Sequence, residues 1–158
     1  MNSRLVRGNL IGTVAFIVAV AIGLPLKEHR PAQVLIVVVS VVLFAIGIAT
    51  GLWAYAQALE LSRVKEVGVA NLFLLTGPTA PSAVKRAMAL ALALQVVTAI
   101  VGASIGMSGL DKGRLNVMAF GILVPMFGIG MNGAWAARYG SYGPRVDPRS
   151  APSNRKIG

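Results

Sequence analysis

Four long apolar stretches constrain this chain more than any other feature of its sequence. They cover residues 10–26, 34–59, 84–107 and 115–137. A helix needs roughly 20 mostly apolar residues to cross a hydrocarbon core of about 30 Å, and each stretch is close to that length or longer. The pattern predicts an all-α fold, an integral membrane four-helix bundle formed by residues 1–138.

The composition agrees with a membrane protein and excludes several other classes. Hydrophobic residues make up 56% of the 158 residues and charged residues 13%, whereas soluble domains carry about 25% charge. The net charge is +10, but the basic residues lie in short segments beside the apolar stretches, so we expect no nucleic-acid binding. With no cysteine and the single His29, we also expect no disulfide scaffold, no metal site and no cofactor.

The distribution of Lys and Arg predicts the orientation. Two precede the first stretch, and five follow the fourth. Four belong to the second connection and the first residues of the third stretch, whereas the other two connections hold two each. Basic residues are retained on the cytoplasmic side of a membrane. We therefore expect both termini in the cytoplasm, in a bacterial plasma membrane. Trp53, Tyr55, Trp135 and Tyr139 lie toward the same ends of their helices and are expected to anchor them at the headgroup level.

The first stretch is the shortest and leaves an alternative open. Arg4 and Arg7 before it, and the small residues Ala21 and Gly23 near its end, also fit a cleaved signal peptide. The apolar run is longer than a usual signal core and leads directly into the second stretch. We therefore interpret it as the first of four spans.

The connection between the second and third stretches, residues 60–83, is predicted to be cytoplasmic. Its first part can continue the second helix, because Glu60, Arg63 and Glu66 are spaced three residues apart. The apolar run 67–75 is too short to cross a membrane and is predicted to be interfacial or re-entrant. The basic tail, residues 139–158, is rich in Gly, Pro and Ser, and we expect it to be disordered and attracted to anionic lipid headgroups.

Small residues predict how the helices associate, because close approach of backbones drives helix packing in lipid. The candidate packing residues are Gly47, Gly51, Gly102, Gly106, Gly121, Pro125 and Gly128. Two interpretations stay open: packing within one four-helix bundle, or a homodimer formed through Gly47 and Gly51 or through Gly102 and Gly106.

The fourth stretch carries the most specific pattern. One stripe along it contains Gly121, Pro125, Gly128, Asn132 and Trp135. Pro125 is expected to kink the helix and to free the carbonyl near Gly121. Asn132, together with Gln95 of the third stretch, is a candidate for a small polar pocket. The alternative is that Asn132 makes only a helix–helix hydrogen bond.

A cluster of positive charge is predicted on the cytoplasmic face. Its members are Arg63, Lys65, Lys85 and Arg86. We expect them to contact anionic lipid headgroups or an acidic partner. The alternative is that they only determine the orientation of the helices.

Residues that would carry catalysis or proton-coupled transport are missing. The four stretches contain no acidic residue and no histidine, and an embedded ionisable group is the usual mark of a proton or ion pathway. The sequence has no Ser/His pairing in an apolar stretch, no H-E-x-x-H motif, no acidic cluster for Mg²⁺ and no phosphate-binding glycine loop. We therefore expect a protein that is not an enzyme.

Three segments resemble a known group of proteins. They are LFLLTG at residues 72–77, AFGILVPMFG at 119–128 and WAARYG at 135–140. These segments are similar to small uncharacterised actinobacterial four-span membrane proteins. The resemblance covers about residues 60–140 and implies a four-span fold, but it implies no activity and no site residues.

Two functions follow as hypotheses. The first is a non-enzymatic accessory or scaffold subunit of the plasma membrane that packs with itself or with a larger membrane complex. The alternative is a small oligomeric transporter or lipid-handling protein, with a cavity lined by the kinked fourth helix. The expected partners are membrane lipids, with anionic headgroups on the cytoplasmic side, and further copies of the chain or a larger membrane protein.

Overall fold

The computed structural model of the protein describes residues 4–26, 28–108 and 116–145, and within them the fold is all-helical. The helices are α1 (Arg4–Gly23), α2 (Arg30–Leu61), α3 (Val69–Phe73), α4 (Ser82–Met107), a 3₁₀ helix (Val117–Leu123) and α5 (Pro125–Tyr139). Four helices, with the 3₁₀ helix and α5 counted together, are long and apolar enough to cross a membrane. The structure thus confirms an all-α chain with four helices of spanning length.

The ends of the helices follow local backbone chemistry. Pro31 stands in the first turn of α2 and begins a helix of 32 residues, because its fixed φ suits a position where the N–H would be unpaired anyway. At the other end the Ser62 N–H donates to the Ala58 carbonyl. The helix therefore extends past the apolar stretch only to Leu61. Of the expected helical extension over residues 60–66, Glu60 and Leu61 are helical and residues 62–66 are not.

The four long helices alternate in direction. Between α1 and α4, Asn9 contacts Met88 and Val20 contacts Gly102, so the two helices are parallel. Between α2 and α5, Gly47 contacts Met126 and Gly51 contacts Gly130, so these two are also parallel. Between α1 and α2, Gly12 contacts Leu43 and Gly23 contacts Ile36, so this pair is antiparallel. By these contacts α1 and α4 run in one direction, and α2 and α5 run in the other. The described chain therefore begins and ends at the same end of the bundle.

Charge collects at that end. Eight of the described Lys and Arg residues lie there: Arg4, Arg7, Arg63, Lys65, Lys85, Arg86, Arg138 and Arg145. Two glutamates, Glu60 and Glu66, accompany them. We call this the basic end of the bundle. The opposite end contains Glu28, His29 and Arg30, and the connection 109–115 lies outside the described residues.

The fourth stretch differs from the expected single kinked helix. It is divided into the 3₁₀ helix and α5, which meet at Val124 and Pro125. The carbonyl of Gly121 accepts the Val124 N–H at 3.0 Å, a bond across three residues that is typical of 3₁₀ geometry. The carbonyl that a proline in an α-helix would leave unpaired therefore finds a donor within its own segment.

The start of the tail also differs from the expectation of disorder. Residues 140–145 lie along the connection: Ser141 N–H donates to the Thr79 carbonyl, and Glu66 N–H donates to the Gly143 carbonyl, both at 3.0 Å. Lys65 and Pro144 form an antiparallel bridge. Their backbone groups therefore find partners on the connection, which composition alone does not reveal. The remainder of the tail, 146–158, lies outside the described residues.

The bundle is apolar outside, and its interior holds polar side chains among the apolar core residues. Large side chains such as Ile11, Leu52 and Leu90 are 61–69% exposed, whereas Asn9, Ser40 and Gln95 are completely buried. An exterior of this kind is stable against hydrocarbon, because lipid chains are as apolar as the side chains that face them.

Candidate functional site

A cluster of polar side chains lies midway along the bundle. Gln95 of α4 donates through Nε2 to Thr13 Oγ1 at 2.7 Å and to Asn9 Oδ1 at 3.2 Å, both on α1. Thr13 Oγ1 in turn donates to the Asn9 carbonyl, and Asn9 Nδ2 lies 3.4 Å from the sulfur of Met88. Each of the three polar side chains is at most 2% exposed. The cluster ties α1 to α4 by hydrogen bonds in an apolar interior, where unpaired polar groups are costly.

The same Gln95 side chain caps the start of α5. Its Oε1 accepts the Gly128 N–H at 3.1 Å. In a regular α-helix this N–H would bond to the Val124 carbonyl, but here that carbonyl accepts the Phe127 N–H at 2.8 Å. α5 begins at Pro125, between the buried residues Val124 and Phe127, where an unpaired N–H would be costly. A Cβ at position 128 would overlap Oε1 of Gln95, so glycine is required for the approach. Gln95 therefore holds α1, α4 and the beginning of α5 together.

α2 and α5 approach each other through glycines on both helices. A Cβ at Gly47 would lie 2.6 Å from the carbonyl carbon of Met126, and one at Gly130 would overlap the carbonyl oxygen of Gly47. Gly51 is less constrained, since its nearest neighbour would be the Cα of Gly130 at 3.7 Å. Nearer the basic end, Gly133 faces the ring of Phe73. This is backbone-to-backbone packing between parallel helices, the contact that small residues permit.

The other candidate packing glycines also face neighbours in the same chain. A Cβ at Gly102 would lie 3.2 Å from Val20 Cγ1, and one at Gly106 would lie 2.7 Å from Met118 Cβ. Gly121 faces the ring of Phe16 at 3.0 Å. Both glycine pairs are therefore buried by packing within one bundle, and a homodimer through Gly47 and Gly51 or through Gly102 and Gly106 would first have to open it.

Asn132 and Gln95 make their hydrogen bonds to different partners. Asn132 Nδ2 donates to the Phe73 carbonyl at 3.0 Å and so attaches α3 to α5. Asn132 is 3% exposed, and its Oδ1 has no hydrogen-bond partner among the described residues. A buried acceptor without a donor is uncommon in folded proteins, because desolvation of the oxygen is left uncompensated.

The four candidate basic contact residues have different surroundings. Lys85 is half-buried and donates to the Gly77 carbonyl, so it stabilises the loop before α4. Arg63, Lys65 and Arg86 are exposed. These three are therefore available to a partner, whereas Lys85 is already bound within the chain.

The docked tail and the connection enclose an open groove at the basic end. Its volume is about 350 Å³, and it is lined by Ser62, Lys65, Glu66, Val67 and Arg145. Arg145 donates from Nη1 to the Ser62 carbonyl at 2.9 Å, which places a cation on the negative end of the α2 dipole. Arg145 N–H also donates to the Val64 carbonyl at 3.2 Å. Main-chain and side-chain bonds therefore both hold Arg145 beside Lys65.

The aromatic residues at this end do not all serve as anchors. Trp53, Tyr55 and Tyr139 are 43–50% exposed, but Trp135 is only 5% exposed. The ring of Trp135 packs at 5.8 Å from that of Tyr139, over which the Arg138 guanidinium lies. The expectation that Trp135 is an interfacial anchor is therefore wrong, because its position on the buried stripe of α5 places it in the core.

Sequence reasoning missed several residues of this arrangement. Asn9 and Thr13 were not identified, although two polar residues four positions apart in an apolar helix share one face. Gly130 and Gly133 were not identified either. Among the described residues no group of three or more His, Asp or Glu side chains is placed to hold a metal ion. Comparison with protein-family models, curated proteins and solved structures finds no match to this chain.

Proposed function

We propose that this chain is a non-enzymatic integral membrane protein of the bacterial plasma membrane, with both termini in the cytoplasm, which serves as an accessory or scaffold subunit. The charge asymmetry supports this orientation. The basic end holds eight Lys and Arg residues and two glutamates, while the described part of the opposite end holds one arginine and one glutamate. Such an excess of basic residues is retained on the cytoplasmic side.

The proposal depends on one contrast: the interior polar side chains bond within the bundle, whereas the basic end presents an ordered surface. Inside the bundle, Gln95, Asn9 and Thr13 bond to one another and to the backbone of α5, which leaves this cluster as a support for the helices. At the basic end, by contrast, the connection and the start of the tail form one hydrogen-bonded surface. A rigid bundle that presents an ordered surface suits docking to a partner.

The partner proposed for this surface is an acidic segment of a larger membrane protein. Arg63 and Arg86 are exposed, and their side chains make no hydrogen bond or ion pair with another described residue. Arginine forms strong, often bidentate bonds with carboxylates. Two such residues, at the end of α2 and the start of α4, would contact acidic side chains of the partner.

The experiment compares purified complexes. The double variant Arg63→Gln/Arg86→Gln should lose a protein that co-purifies in stoichiometric amount with the native chain in a mild detergent, as measured by mass spectrometry. The control is Arg30→Gln, which removes an exposed cation from the opposite end and should leave the complex intact. Purification of the native chain with no protein partner, or an intact complex in the double variant, would contradict the docking role.

Orientation is tested separately, because the chain has no cysteine. A single cysteine in place of Ser141, which is exposed, should resist an impermeant thiol reagent in intact cells. The same residue should react in inverted membranes. The opposite pattern would place the basic end outside and would contradict the proposed topology.

A second candidate, a small transporter or lipid-handling protein, is favoured by one observation. Asn132 has a buried Oδ1 without a donor, and a hydroxyl or ammonium group of a ligand would supply one. This function requires that Asn132→Leu abolish uptake or lipid binding while the bundle stays folded. An unchanged transport and lipid-binding profile would remove this candidate.

A further inference from the structure

The groove between the connection and the tail is a fixed structure. Lys65 and Arg145 come from segments far apart in the sequence, and backbone bonds between residues 64–66 and 143–145 bring them together. These bonds use main-chain atoms, so the Lys65 and Glu66 side chains do not maintain the groove. Arg145 uses Nη1 on the Ser62 carbonyl, and a guanidinium has five N–H donors in all.

The charges along the groove are of both signs. Lys65 and Arg145 are cationic and Glu66 is anionic, and all three line it. Neither the Lys65 ammonium nor the Glu66 carboxylate has a side-chain hydrogen bond or an ion pair with another described residue. The groove therefore presents donors for an anion and an acceptor for a cation within one volume of about 350 Å³.

The surroundings of the groove are apolar and face outward. Val64 is 67% exposed, Val69 is 70% exposed and Leu59, in the last turn of α2, is 54% exposed. Exposed large apolar side chains next to a span are stable at the boundary between headgroups and acyl chains. With the basic end at the membrane surface, as proposed above, the groove would open at the depth of lipid phosphates.

We propose that this groove binds the headgroup of phosphatidylethanolamine, a lipid whose phosphodiester and primary ammonium both find partners in it. The phosphate would accept hydrogen bonds from the Lys65 ammonium and the remaining N–H groups of Arg145. The ammonium would donate to the Glu66 carboxylate. A glycerol headgroup has no positive charge for this carboxylate, and the quaternary ammonium of choline has no N–H to donate. This inference rests on the proposed placement of the basic end at the membrane surface.

The experiment measures which lipid stays bound. The full chain is reconstituted in nanodiscs of equal parts phosphatidylethanolamine, phosphatidylglycerol and phosphatidylcholine, released into mild detergent, and examined by native mass spectrometry. We expect one bound ethanolamine lipid per chain, at roughly ten times the amount of either other lipid. One hydrogen bond to a charged group changes an affinity by about this factor. Retention of the three lipids in proportion to their supply would overturn the proposal.

Two variants separate the two halves of the headgroup. Glu66→Gln should abolish the preference for ethanolamine over glycerol, because the ammonium loses its charged acceptor while the cations remain. Lys65→Gln should reduce retention of all three phospholipids. Glu28→Gln, an exposed carboxylate at the opposite end, is the matched control and should change nothing. An ethanolamine preference that survives Glu66→Gln would overturn the proposal.

Failure of the fold and failure of the docking function can be told apart from failure of this inference. Hydrogen exchange of the Glu66 and Arg145 amides, which are bonded across the groove, reports whether each variant keeps the groove. The Arg63→Gln/Arg86→Gln variant retains all groove residues and should keep its lipid preference even where the protein partner is lost. Loss of the preference in that variant, with the groove amides still protected, would contradict the assignment to Lys65, Glu66 and Arg145.

Discussion

The Oε1 atom of Gln95 accepts the backbone N–H of Gly128 at 3.1 Å, so a side chain of one helix caps the start of another inside the bundle. The Nε2 atom of the same amide donates to Thr13 and Asn9. One residue thereby satisfies the Gly128 N–H beside the break between the 3₁₀ helix and α5, and it also bonds to α1. The break is stable because Gln95 supplies what water would supply at a helix end in solution.

Replacing Gln95 should destabilise the bundle. In Gln95→Leu the Gly128 N–H, Thr13 and Asn9 all lose their bonds to residue 95, and we expect a loss of about 1–3 kcal/mol of unfolding free energy. The measurement is unfolding in detergent or in lipid discs. Gln57→Leu is the control, because Gln57 is half-buried on α2 and makes no hydrogen bond to a described side chain. Equal stability of the two variants would refute the capping role.

The two glycines of α2 should respond differently to the same substitution. Gly47→Ala places a Cβ 2.6 Å from backbone atoms of Met126 and should cost about 1–3 kcal/mol, because α2 and α5 must move apart. Gly51→Ala meets only an ordinary contact at 3.7 Å and should change stability by about 0.5 kcal/mol or less. Thermal unfolding of the pair, side by side, tests the packing. A larger effect at Gly51 would be inconsistent with it.

The second glycine pair offers a similar comparison. A methyl group at Gly106 would overlap Met118 and the Asn116 side chain, whose Nδ2 bonds the Ala103 carbonyl. Gly106→Ala should therefore loosen the start of the 3₁₀ helix and raise amide exchange at Met118, which Asn116 caps. Gly102→Ala, at 3.2 Å from a valine methyl, should have a smaller effect. Equal exchange rates at Met118 in both variants would contradict this difference.

Tyr142 should make docking of the tail sensitive to alkaline pH. Burial raises the pKa of the Tyr142 hydroxyl above its ordinary value, because the charged phenolate is poorly solvated there. The docked tail therefore favours the neutral phenol. The stability of the docked tail is fully present below the ordinary tyrosine pKa of about 10, and it is lost as pH rises through the raised pKa of Tyr142.

Tyr142→Phe isolates that effect. The hydroxyl has no hydrogen-bond partner among the described residues, so its removal should leave docking intact or slightly stronger at neutral pH. The measurement is amide exchange of Ser141 and Arg145, both bonded to the connection, across the alkaline range. A tail that undocks equally in both proteins as pH rises would assign the effect to another group.

The spans and the tail illustrate how far sequence reasoning reaches. The apolar stretches predicted four helices of spanning length because burial of a helix in hydrocarbon depends on composition along one segment. The division of the fourth stretch at Pro125 was predicted only as a kink, since the choice between a bent α-helix and a 3₁₀ segment depends on what neighbouring helices can bond. The order in residues 140–145 was not predicted, because their partners at Val64, Glu66 and Thr79 lie in another part of the chain.

The sequence by itself determined the all-helical class, the number of long apolar helices and the collection of basic residues at one end. These features depend on the hydropathy and charge of residues that are adjacent in the sequence, and both can be read without knowing which helices are in contact. Only the tertiary structure decided that Gly47 meets α5, that Trp135 is buried, and that Gln95 bonds to residues up to 86 positions away. Such contacts depend on which helix faces pack against each other. Several faces of these helices carry small residues or amides that could form a helix–helix contact, and the sequence alone does not show which of them do.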